Sequence, residues 1–294
     1  MWRTPVILAV LMVVGSLLPR AEAGQRLSAG GSHTCGVHTD GTVKCWGSDR
    51  KGQSSPPAGV FGSVSAGGWH TCGVLKDGAV KCWGDNAKGQ TDAPSGEFAS
   101  VSAGASHTCG VRLSGAIHCW GGPSHAHLGA LPLPGPPTGD FGSVSAGSQY
   151  TCGVLKSGEV KCWGTSNAGG QSSPPAGVFG SVSGSRFHTC GVLKSGEVTC
   201  WGRDQNGHLK APAGVFHSVS AGTLHTCGVL KSGQVKCWGA NSAGQSGAPA
   251  GVYRSVSAGN AHTCGVLKSG EVKCWGHIGE DRSSPPPGLQ VATD

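Results

Sequence analysis

The sequence predicts an all-β fold, a seven-bladed β-propeller with one intra-blade disulfide per repeat, and three observations predict it. The string HTCGVLKSGEVKCWG, or a close variant, occurs seven times in 294 residues. The first cysteines of successive copies stand 37, 37, 43, 38, 37 and 37 residues apart. The chain holds 53 glycines and 17 prolines, and past the first 23 positions it shows no sustained 3.6-residue apolar period, so long helices are excluded. Repeats of about 40 residues, each with several short β-prone runs, are the pattern of propeller blades.

Taken in order, residues 1–23 stand apart from the array. Arg3 supplies a short positive region, residues 6–18 are apolar, and Ala21-Glu22-Ala23 has the small-x-small pattern of a signal-peptidase site. The expected organisation is a signal peptide over 1–23 and a seven-repeat propeller over 24–294, secreted or periplasmic, with no membrane span in the mature chain. Losing Arg3, Arg20 and Glu22 takes the formal charge from +7 to +6. The lysines are spread one or two per repeat, whereas a nucleic-acid binder concentrates its charge. No nucleic-acid partner is expected.

Each repeat then offers a Val-Ser run, a turn, and a hairpin carrying two cysteines ten positions apart. A glycine recurs inside every hairpin: Gly41, Gly78, Gly115, Gly158, Gly196, Gly233 and Gly270. Glycine suits the last, positive-φ position of a three-residue hairpin loop. With Lys156-Ser157-Gly158 as that loop, Leu155 faces Glu159, Val154 faces Val160 and Cys152 faces Cys162. The cysteines then occupy a non-hydrogen-bonded pair, with Cα atoms about 4.5 Å apart, which a disulfide can bridge. The pairs are Cys35 with Cys45, Cys72 with Cys82, Cys109 with Cys119, Cys152 with Cys162, Cys190 with Cys200, Cys227 with Cys237, and Cys264 with Cys274. Zinc ligands favour spacings of two to four residues, which this pattern lacks. Seven bridges also suit an exported chain, because the compartment is oxidising.

The frame around the cysteines reads S-V-S-A-G-x-x-H before the hairpin and W-G-x-N-x-x-G-Q after it, seen most fully in Trp83-Gly84-Asp85-Asn86-Ala87-Lys88-Gly89-Gln90. This frame resembles the regulator of chromosome condensation repeat family, and the resemblance covers nearly all of the chain after residue 23. It implies a seven-bladed propeller. The paired cysteines depart from the usual repeat and are similar to those of extracellular relatives, including the ectodomains of crinkly-type plant receptor kinases. By compartment, the chain is also similar to secreted propellers that inhibit β-lactamases. The nucleotide-exchange and chromatin role of the family's nuclear founding member is not expected of an exported chain.

Six repeats carry a histidine two places before the first cysteine: His33, His70, His107, His188, His225 and His262, with Tyr150 in the fourth. One ring per blade spreads potential ligands too far apart for a metal, so each is expected to hydrogen-bond within its own blade. The tryptophan after each second cysteine is expected to pack between blades. The informative positions are those where the copies diverge. The dipeptide before the histidine reads Gly31-Ser32, Gly68-Trp69, Ala105-Ser106, Ser148-Gln149, Arg186-Phe187, Thr223-Leu224 and Asn260-Ala261. Large apolar or cationic side chains at such sites are candidate anchors for a protein. The expected partner-binding residues are therefore Trp69, Gln149, Tyr150, Arg186, Phe187 and Leu224. A longer, proline-rich loop over 121–140 contains His125-Ala126-His127 and reads as a solvated spacer.

No nucleophile elbow, zinc-protease motif or phosphate-cradling loop occurs. The expectation is a monomeric, non-enzymatic propeller without cofactor or metal, binding an extracellular or periplasmic protein through one loop face. The alternatives are an inhibitor of a secreted enzyme such as a β-lactamase, or a carbohydrate-binding module of the cell surface.

Overall fold

The computed structural model describes residues 25–122, 135–277, 279 and 284–292. The expected signal peptide and the His125-Ala126-His127 stretch lie outside the described residues. Seven antiparallel sheets of three strands each form the array, with no α-helix among the described residues. No helix there is long and apolar enough to cross a membrane. The strands define blades one to seven over 27–47, 61–84, 98–121, 141–164, 179–202, 216–239 and 253–276. In blade two the inner strand is Phe61–Ala66, the middle strand His70–Leu75 and the outer strand Val80–Gly84. Inner strands of successive blades pack on one another around the axis, and blade seven packs on blade one to close the ring.

The hairpin register follows the glycines. Gly158 has φ 95°, a conformation that glycine adopts without strain. Around it Val154 pairs with Val160 and Cys152 with Cys162, and the Leu155 amide donates to the Glu159 carbonyl. All seven disulfides form within blades, with Cα atoms 4.0–4.1 Å apart. No described cysteine is free.

The core is a set of clusters between blades. Cys35, Val37 and Val43 of blade one pack against Phe61, Val64 and Trp83 of blade two. Phe61 and Trp83 meet edge to face, with ring centroids 5.9 Å apart. In six blades the glycine after the first cysteine leaves room for this aromatic, since a Cβ at Gly73 would stand 2.6 Å from Phe61 Cδ1. The Trp83 indole N–H donates to the Gln53 carbonyl in the connection from blade one, at 2.9 Å. The W-G-x-N-x-x-G-Q stretch forms turns that lead from the outer strand of one blade toward the inner strand of the next. Its glycines and its side-chain bonds to its own backbone, such as Gln53 Oε1 accepting from the Lys51 amide, favour a compact turn.

Candidate functional site: the axial mouth

Each blade has a hairpin end and a turn end, so the propeller has two faces. The turns between inner and middle strands carry the divergent dipeptides, and all seven gather at one end of the axis. The first residues of the dipeptides, Gly31, Gly68, Ala105, Ser148, Arg186, Thr223 and Asn260, ring a cavity of about 320 Å³, together with Ser32, Trp69 and Ser185. The cavity wall below them is the Ala-Gly pair repeated in six blades, with Ser185 in blade five. Those small residues are required by close packing: a methyl on Gly67 would collide with the Gly104 carbonyl of the next blade.

Two belts of hydrogen bonds hold this mouth in shape. In the first, each inner-strand serine accepts from a backbone amide of the next blade, an alanine in six blades and Gly184 in blade five, from Ser28 with Ala66 round to Ser257 with Ala29, at 2.9–3.0 Å. In the second, each histidine Nε2 lies 2.7–2.9 Å from the threonine hydroxyl of the next blade. His262 closes that belt onto Thr34. Through Nε2 the histidines therefore bond across blades, which corrects the expectation from sequence. The imidazole stands on the middle strand and projects from the face of its sheet toward the neighbouring blade, whose threonine hydroxyl it meets.

The proton positions follow from the threonines. Thr71, Thr108, Thr226 and Thr263 donate their hydroxyls to carbonyls of the preceding connection. His33, His70, His188 and His225 must therefore donate from Nε2, leaving Nδ1 unprotonated. In His33, His70 and His225 that Nδ1 is buried without a hydrogen-bond partner. Burial, the largest cause, pushes His33 and His225 down to about 4 and His70 and His188 down to about 3. Among the described residues no group of three or more His, Cys, Asp or Glu is placed to hold a metal ion.

Of the expected anchors, Trp69 is 42% exposed and lines the cavity. Arg186 is exposed, lines the cavity too, and stacks its guanidinium 5.0 Å from the centroid of half-buried Phe187. Gln149 is exposed, and Leu224 is half-buried beside the mouth. Tyr150 differs. It is 1% exposed and serves the second belt, its hydroxyl 2.7 Å from Thr189 Oγ1 and donating to the His188 carbonyl at 2.8 Å. A phenol reaches further than an imidazole, so it sinks into the inter-blade space and is removed from the candidate anchors.

That longer reach has a partner in sequence that only the structure reveals. Where blade two has Ala66, blade five has Gly184, and a Cβ there would stand 3.2 Å from Tyr150 Oη. Gly184→Ala is expected to destabilise by about 1 kcal/mol, as is common for overpacking. Adding Tyr150→His is expected to recover most of that loss, because both changes restore the common repeat. A double-mutant cycle in urea measures the coupling, and strict additivity would refute it.

Blade five also places Ser185 Oγ 3.0 Å from His188 Nδ1 on the cavity wall. A serine beside an imidazole suggests a nucleophile. However, an imidazole held near 3 is too weak a base to take the serine proton at neutral pH. The bond serves to satisfy a nitrogen that is orphaned in other blades.

Fold and mouth together define a disulfide-stapled repeat propeller with an invariant belt and a variable rim. The chain belongs to the Regulator of chromosome condensation (RCC1) repeat family, with matches at 25–53, 63–90, 98–125, 143–171, 181–207, 216–245 and 253–277. It is similar to the CRINKLY WD40 ectodomain of the Arabidopsis thaliana receptor kinase ACR4, at 28% identity and a TM-score of 0.71, over 87% of this chain and 98% of that one. The entire ectodomain of the Physcomitrella patens receptor kinase CR4 is also 28% identical, with a TM-score of 0.68 over 85% and 72%. Saccharomyces cerevisiae Prp20p shares the fold at 14% identity and a TM-score of 0.71, over 90% and 84%. A search of curated proteins gives no match.

Proposed function

We propose that this chain is a non-enzymatic binding propeller that acts outside the cytoplasm and engages a protein through the axial mouth. The observation that carries this reading is the convergence of the divergent residues on one cavity, while the invariant ones are consumed by disulfides and belts. Seven disulfides are consistent with an oxidising compartment, and the likeness to plant receptor ectodomains points the same way. Inhibition of a secreted enzyme is one form such binding takes. A carbohydrate module calls for exposed aromatics in several equivalent turns, and among the described dipeptides only Trp69 is an exposed aromatic. The hairpin face exposes Val60, Leu113, Val178, Val215 and Val252, one each from blades two, three, five, six and seven. Scattered single apolar residues of this kind are ordinary surface.

The test is a photo-crosslinking amino acid placed at Trp69, compared with one at Ser157 on the hairpin face, in the native host. A discrete protein adduct from position 69 alone is expected. Adducts only from position 157, or glycan and no protein at position 69, would refute the reading.

A further inference from the structure

Blade five differs from the others at the rim in two places that lie side by side. It alone has an arginine in the dipeptide, Arg186, and it alone has one directly after Trp-Gly, Arg203. The other blades have Ser48, Asp85, Gly122, Thr165, Ala240 and His277 at the second position. The Arg203 amide donates to the Phe187 carbonyl at 2.9 Å, which sets the Arg203 backbone beside the Arg186-Phe187 dipeptide. Both are exposed. Neither belongs to an ion pair among the described residues, where the nearby Asp204 instead faces His208 Nδ1 at 3.9 Å. Stacking on Phe187 limits the rotamers of Arg186, so less freedom is lost when it pairs with a ligand. Among the described residues Arg186 is also the only charged one that lines the cavity. Trp69 stands three blades away, across the axis.

We propose that the mouth recognises a protruding acidic loop of a protein, whose carboxylates pair with Arg186 and Arg203 while an adjacent apolar side chain packs on Trp69. This rests on the protein-binding reading and gives its partner a chemistry. Unpaired guanidiniums beside an otherwise neutral cavity fit carboxylates, which they bind through forked hydrogen bonds. The cavity is walled by all seven blades and measures about 320 Å³. It accepts the tip of a loop, whereas a polysaccharide chain needs a groove open at both ends.

The experiment pans a phage library of disulfide-cyclised nine-residue loops against the intact, oxidised protein, then measures binding of the selected peptides as synthetic loops. Selected loops are expected to be enriched in Asp and Glu. Arg186→Ala and Arg203→Ala are each expected to weaken binding about 10-fold, as for charge-paired anchors. Added salt should weaken it further, and Ser157→Ala should leave it unchanged. Circular dichroism confirms that the variants fold. Loops without acids that depend on Trp69 but not on the arginines would overturn this proposal and leave protein binding standing. Loops that select only the hairpin face, or none at all, would count against both. Binding of heparin or polygalacturonate through the two arginines, with no acidic loop selected, would replace the protein loop by a polyanion.

Discussion

Acidification from pH 7 to about pH 4 is expected to unfold this propeller cooperatively with its disulfides intact. His33 and His225 are held down to about 4 and His70 and His188 to about 3, against an ordinary value of 6.5, chiefly by burial. The folded state therefore keeps all four imidazoles neutral where the unfolded chain has already protonated them. Stability is fully present above pH 6.5 and is lost as the pH falls from there toward the folded values. Within that window each imidazole removes up to about 1.4 kcal/mol per pH unit. The physical reason is local: a second proton on Nδ1 of His33, His70 or His225 would be buried with no acceptor. Urea midpoints at pH 7, 6, 5 and 4 measure the loss, and a flat profile down to pH 4.5 would refute it. His70→Gln keeps a donor near Thr108 but cannot titrate, so the slope of stability against pH is expected to become shallower by one imidazole's share.

The same belt marks what the sequence could and could not convey. Hairpin register was legible because Gly158, Cys152 and Cys162 constrain one another locally, and a shift by one residue would separate the cysteines. Blade number was legible from the period. The direction of the histidine bonds was not, because His33 finds Thr71 only after two blades are set side by side. Spacing within one repeat contains no term for that neighbour. The burial of Tyr150 is hidden for the same reason, since its compensating Gly184 lies in the next blade. Arg203 falls in the variable stretch after Trp-Gly, and its proximity to Arg186 depends on a backbone bond to Phe187. Its signal was nevertheless present: it is the single arginine among seven aligned positions.

The second large effect concerns the seam between blades seven and one. At six junctions an aromatic amide, such as that of Phe61, donates to the hairpin glycine carbonyl of the preceding blade, here Gly41 at 2.7 Å. At the seventh, the Val291 amide donates to the Gly270 carbonyl at 3.0 Å. Val291 pairs with His38 as Phe61 pairs with Leu75, and it packs over Gly36 where Phe61 packs over Gly73. Residues 284–292 thus act as the start of blade one's inner strand. Leu289 and Val291 are 6% and 1% exposed, in a cluster with Leu27, Trp46, Cys264, Val266 and Val272. Leu289→Ala with Val291→Ala is expected to cost roughly 3–6 kcal/mol from lost burial and the cavity left behind, and removal of 284–294 at least as much. Because each blade rests only on its neighbours, the damage should start locally. Amide exchange in Leu27–Ala29 and His262–Leu267 is expected to accelerate before exchange in blade four, on the far side of the ring. A truncated chain with an unchanged urea midpoint and uniform protection would show that the seam closes without its tail. Loss of protection that begins at the seam would establish that a ring of near-identical blades has one breakable joint, where a blade is supplied from both flanks of the repeat array.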